Sequence, residues 1–185
     1  TGPDGFGLPG GARAQRLVMI EIRLPRALLA GLIGAALALA GAVLQGYLGN
    51  PLAEPGLLGV SSGAALGAVV AIHSGAAAAF ALALPLGGLA GAGLATMAIL
   101  LLAGRDSGPV TLILAGVAIS SIAAALTSLA LNLTPNPFAS VEIVYWLMGS
   151  LADRSLVHLW LALPLIVAGG ALLFATGPAT ICGSA

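Results

Sequence analysis

The segment Gly59–Gly63, GVSSG, has the G-x-S-x-G spacing of a nucleophile elbow, in which a serine hydroxyl attacks an acyl carbon. That chemistry needs a strand-to-helix turn under the serine and a histidine base within hydrogen-bond reach. Here the segment opens an apolar helical run, and His73 lies about three turns further along it, out of reach of Ser61. No catalytic residues are assigned, and the chain is not read as an enzyme. His73 and His158 have no H-E-x-x-H motif or cysteine cluster beside them, so they read as residues at a membrane–water boundary and not as metal ligands. Cys182, the single cysteine, gives neither an internal disulfide nor a metal framework, and no cofactor is expected. A P-loop needs a lysine to reach the phosphates, and this sequence contains no lysine. If ATP drives the process, another subunit hydrolyses it.

The elements that carry these residues are set by composition. Of 185 residues, 59% are hydrophobic and 6% charged, against roughly 25% charged in a soluble domain. The reading is an all-α integral membrane protein, because a lone strand would leave backbone groups unpaired in lipid. Six arginines balance six acids, so no nucleic-acid partner is implied.

The charges mark the spans. Arg13, Arg16, Arg23 and Arg26 precede an uncharged stretch from Ala27 to Ala53, and about 20 apolar residues suffice to cross a bilayer. The first helix is expected near 27–48, the second near 57–72, the third near 77–103 with Pro85 inside it, and the fourth near 110–133. The prolines of TPNPFAS stop the fourth. A short interfacial helix, VEIVYWLMGSL, comes before a last span near 156–175. That makes about five transmembrane helices plus one short helix. The expected organisation is a lead-in segment over 1–22, a partial transmembrane domain over 23–176 and an unstructured tail over 177–185. Thr1 at the start and the short polar stub at the end predict a piece of a longer membrane protein.

Small residues recur every four positions in Gly34, Ala38, Ala42 and Gly46, in Gly59, Gly63, Gly67 and Ala71, and in Gly87, Gly91 and Ala95. Such stripes let helix backbones approach closely, and packing alone explains each one. The stripe Gly116, Ser120, Ala124, Ser128 and Asn132 has polar members, which face a neighbour or a wet cavity more readily than lipid. Packing and a place along a pathway both fit it. Between the first two helices, Asn50-Pro51 ends one and Glu54-Pro55 starts the next, with proline suited to a first turn.

The run RLPRALLAGLIGAALALAGAVLQGYLGNPLAEPGLLGVSSGAALGA, Arg23 to Ala68, resembles the FecCD-type permeases of ABC importers for iron–siderophore, haem and vitamin B12. It contains in order R-L-P-R, G-A-x-L-A-x-x-G-x-x-x-Q, N-P-L-A-x-P and L-G-x-S-x-G-A. LILAGVAISS and YWLMGSL look like the family's fifth helix and the short helix after it. The resemblance extends from Arg23 to about Ala175. It implies helices two to six of a ten-helix subunit in the bacterial cytoplasmic (inner) membrane. It also implies a second permease subunit (the same chain or a close homologue), cytoplasmic ATP-binding subunits and a periplasmic or lipid-anchored substrate-binding protein. The family's cytoplasmic coupling phrase G-x-[IV]-x-F-[IV]-G-L-x-x-P-H has no match here.

Carried over by position, the resemblance makes Arg23 and Arg26 docking residues for acidic groups on the binding protein, a pairing that suits the guanidinium fork. It places Gly116, Ser120, Ser128 and Asn132 along the translocation path. Thr134 and Asn136 fall at the periplasmic gate, and Ser61 and Ser62 near the cytoplasmic mouth. The implied cargo is a metal chelate, with a ferric siderophore first and haem or a corrinoid next.

Charge and resemblance disagree on sidedness. Arg13, Arg16, Arg23, Arg26 and Arg154 fall on one side against Arg105 on the other, and the positive-inside rule would put the five in the cytoplasm. The family places R-L-P-R outside, and that orientation is adopted. A fragment of an ion-coupled secondary transporter is the alternative. It would call for an acid in mid-helix, whereas Glu54, Asp106, Glu142 and Asp153 all lie near expected helix ends.

Overall fold

The computed structural model describes residues 16–80, 82–104, 108–134, 137–151 and 156–182, with side chains up to 175. Asn136 of the expected gate, Arg13, Arg105, Arg154, Asp106 and Asp153 lie outside the described residues. Every regular element among the described residues is helical: α1 (Leu24–Leu48), α2 (Val60–His73), the short α3 (Ala76–Ala79), α4 (Ala83–Ala103), α5 (Pro109–Leu133), α6 (Pro137–Met148) and α7 (Leu156–Cys182). They fall into two compact units, residues 1–43 with 150–185, and residues 44–149.

In the first unit a π-helical turn, Val18–Arg23, leads into α1. Pro25 explains it. A proline inside a helix lacks the N–H and crowds the carbonyl four residues back. The wider turn relieves this, and the Leu24 N–H reaches Met19 O, five residues earlier. In α7 the helical backbone runs to Cys182, into the stretch where a tail is expected from 177. Gly177 and Pro178 do not stop it, as prolines and glycines are tolerated in apolar membrane helices.

The second unit is built on close backbone approach. The stripes of α2 and α4 meet in antiparallel register. A Cβ on Gly67 would collide with the Gly87 carbonyl oxygen, and one on Gly91 with that of Gly63. A Cβ on Gly87 would stand 2.8 Å from Gly67 O and 3.1 Å from Ala71 Cβ. Only residues without side chains permit this separation. In the other stripe, a Cβ on Gly34 or Gly46 would meet nothing within 4 Å among the described residues.

Pro85 resets the third expected span. A continuous helix over 77–103 would hold Pro85 in its interior. Instead α3 ends at Phe80, whose backbone is extended (φ −144°, ψ 121°), and α4 restarts at Ala83. Pro85 thereby falls in a first turn, where its missing N–H costs nothing. Four helices among the described residues are long and apolar enough to cross a membrane: Val18–Leu48, Ala83–Ala103, Pro109–Leu133 and Leu156–Ala175. The fifth expected crossing, α2, has 14 residues. At about 1.5 Å per residue it covers about 21 Å of a hydrocarbon core about 30 Å thick. Gly59, at φ +74°, separates it from the 3-10 turn Pro55–Leu58 that begins the same apolar run.

Candidate functional site

The sequence-derived site residues gather in three places, each held by local chemistry. Arg23 and Arg26 lie at the start of α1, both exposed. Arg23 Nη1 donates to Met19 Sδ at 3.7 Å, one turn back. Pro25, between them, is fully buried. The arrangement presents cations at a helix end and anchors the backbone that carries them.

The second place is the start of α2. Gly49, at φ +59°, closes α1, and the Leu52 N–H donates to Asn50 Oδ1 at 2.9 Å, an Asx turn. Gln45 Nε2 donates to the Ala53 carbonyl at 3.3 Å. The chain then enters the 3-10 turn, which lies on α5. A Cβ on Gly116 would stand 2.9 Å from Leu58 Cα and 3.0 Å from Leu57 O. From the other side, a Cβ on Gly59 would stand 2.7 Å from Gly116 O and 2.8 Å from Ser120 Oγ. The Ser62 and Ser120 hydroxyls share a hydrogen bond of 3.3 Å. Ser62 is half-buried in this junction, whereas Ser61 is exposed.

The third place is the other end of α2. His73 Nδ1 lies 3.1 Å from Thr134 Oγ1, and Thr134 Oγ1 donates to the Ala130 carbonyl at 2.6 Å. Beside this pair, Val69, Ile72 and Ile143 form a buried cluster flanked by Ala130, Leu131 and Trp146. It ties α2 to α5 and α6. Contacts 62–120 and 73–134 run in the same sense along both helices, so α2 and α5 are parallel, pinned by hydroxyl or imidazole bonds near both ends of α2.

The polar stripe of α5 does not stay on one face. Steps of four residues advance about 40° each around a helix of 3.6 residues per turn. Gly116 is buried and Ser120 half-buried, while Ala124, Ser128 and Asn132 are exposed. Asn132 Nδ2 donates to the Ser128 carbonyl at 2.8 Å. The structure therefore joins Gly116 and Ser120 to Ser62, and sets Ser128 and Asn132 on an open face. His73, read from the sequence as an isolated boundary residue, is bonded to a residue of the expected gate. No local signal reveals this, because its partner is 61 residues away.

Comparison with known proteins adds a decisive match, as the model of the FecCD transport family fits residues 6–180. The chain belongs to the FecCD transport family. It is 44% identical over 165 residues to the uncharacterised ABC transporter permease protein YvrB of Bacillus subtilis (strain 168), covering 86% of this chain and 46% of that one. It is 43% identical over 155 residues to the vitamin B12 import system permease protein BtuC of Salmonella newport (strain SL254), covering 84% and 47%. The structure of a metal-chelate type ABC transporter in an inward-facing conformation superposes with a TM-score of 0.84 at 31% identity, covering 96% of this chain and 56% of that one. The FecCD chain thus spans about half the length of the curated relatives it matches. The resemblance carried by Arg23–Ala68 holds, and the chain is a multi-pass membrane protein of all-α fold that matches about half of an ABC permease.

Proposed function

We propose that this FecCD chain is part of the permease subunit of an ATP-driven importer that moves a metal chelate across the bacterial cytoplasmic membrane. The observation that carries the reading is the family match across residues 6–180. The vitamin B12 permease among its relatives supports a corrinoid as cargo, and the resemblance to FecCD-type permeases adds a ferric siderophore or haem. Arg23 and Arg26 would receive acidic residues of a substrate-binding protein on the outer face. Exposed pairs of this kind contribute about 0–1 kcal/mol each, so their larger effect is on steering and register. Ser128 and Asn132, on the open face of α5, would border the path, while Gly116 and Ser120, packed against the start of α2, would hold its wall in place; Ser61 and Ser62 would lie towards the cytoplasmic mouth and Thr134 and Asn136 at the outer gate. A second permease subunit would complete the path, and separate ATP-binding subunits would drive it.

The test is uptake by the complete reading frame, reconstituted with its ATPase subunits in proteoliposomes. Cyanocobalamin, a ferric siderophore and haem are supplied in turn. Accumulation of one of them that requires enclosed ATP supports the reading. Accumulation that survives ATP removal and collapses with the ion gradient would make the protein a secondary transporter instead.

A further inference from the structure

We propose that His73 is a positioning residue: its Nδ1–H, accepted by Thr134 Oγ1, holds the C-terminal end of α5 against the end of α2. The proton count gives the direction. A threonine hydroxyl has one proton. In Thr134 that proton goes to the Ala130 carbonyl at 2.6 Å, one of the carbonyls the last turn of a helix leaves unpaired. The remaining lone pairs of Oγ1 can only accept, so His73 Nδ1, at 3.1 Å, is the donor.

The surroundings make this bond a brace. Ser74 and Gly75 end α2 immediately after His73: Ser74 Oγ donates to Ala71 O at 3.3 Å, and Gly75 turns the chain at φ +75°. Val69 and Ile143, both 0% exposed, fix the preceding turn of α2 to α6. Ala130, whose carbonyl holds Thr134, packs against the same cluster. His73 therefore extends from a fixed helix end to the threonine that follows the last turn of α5. The gate role given to Thr134 rests on the permease reading, whereas the bond does not.

The experiment has two arms, both on the full-length protein. The first is the 15N spectrum of histidine-labelled protein in detergent, with His73→Asn used for assignment. The expected result is a protonated Nδ1 whose proton signal moves in Thr134→Val and stays in Thr134→Ser. An unprotonated Nδ1, or a signal indifferent to Thr134→Val, overturns the proposal. The second arm is substrate-free ATP hydrolysis by the assembled transporter. His73→Phe and Thr134→Val are expected to raise it about two- to tenfold, the range one net hydrogen bond spans. His73→Asn, which keeps a donor near Nδ1, is expected to remain near wild type. Equal rates in all three variants, with the bond seen by NMR, would overturn the positioning role. If the wild type engages no ATPase, the permease reading falls, and the spectrum still decides the bond.

Discussion

The glycine contact between α2 and α4 can be tested against controls on the same helix. Replacing Gly91 by alanine puts a methyl group into the Gly63 carbonyl oxygen, and replacing Gly67 puts one into that of Gly87. Gly93, two residues along α4, has nothing within 4 Å, and Gly88 has only Ala64 O at 3.7 Å, an ordinary contact. All four substitutions gain the same intrinsic helix preference, about 1 kcal/mol, so it cancels between them. What remains is overpacking, typically about 1–3 kcal/mol. The upper part of that range applies, because the atoms met are backbone carbonyls that cannot rotate aside. Thermal melting of the full-length protein in detergent should therefore rank Gly93→Ala and Gly88→Ala at or above wild type. Gly67→Ala and Gly91→Ala should fall several degrees below. If Gly91→Ala melts with Gly93→Ala, the backbones do not approach as described, and the account of the α2–α4 pair is wrong.

Gly59→Ala and Gly75→Ala both force alanine to positive φ, at a cost of about 1–2 kcal/mol, but only Gly59 also lacks room. Denaturation should show Gly59→Ala as the more damaging. A double-mutant cycle on Ser62→Ala and Ser120→Ala should return a coupling of about 0.5–1.5 kcal/mol, and a zero coupling would remove the hydroxyl pair from the junction. Single cysteines at Ser128 and Asn132, both exposed, should react with a hydrophilic thiol reagent faster than one at buried Ala123 if the open face of α5 borders a wet path. Arg23→Glu with Arg26→Glu should weaken binding-protein association, and the loss should shrink as salt rises. A salt-independent loss would point to misfolding instead.

Helix positions were legible because uncharged runs and prolines mark them directly: Gly108-Pro109 starts α5 and Pro137 starts α6, within a few residues of expectation. Two boundaries set by prolines were not. The break before α4 depends on where Pro85 can be tolerated, and the π-helical turn depends on Pro25 acting several residues upstream. Both are local consequences of one ring that hydropathy cannot see. Stripes of small residues at every fourth position announced that helices approach closely, but not which ones. The α2 and α4 stripes interlock while that of α1 meets nothing within 4 Å at Gly34 and Gly46. The α5 stripe looked uniform in sequence, and helical drift splits it between a packed and an open face. His73 illustrates the remaining gap, since a hydrogen bond across two helices leaves no trace in spacing.

Every assignment along the path hangs on the orientation of R-L-P-R, on which charge and family resemblance disagree. The most direct measurement is sidedness at Arg23. In the complete reading frame, native cysteines are replaced by serine, one cysteine is placed at Arg23, and intact spheroplasts are treated with a membrane-impermeant thiol reagent. The importer account predicts labelling from outside, before the membrane is broken. Labelling only after rupture would put these arginines in the cytoplasm, and the docking residues, the outer gate and the direction of transport would all have to be abandoned.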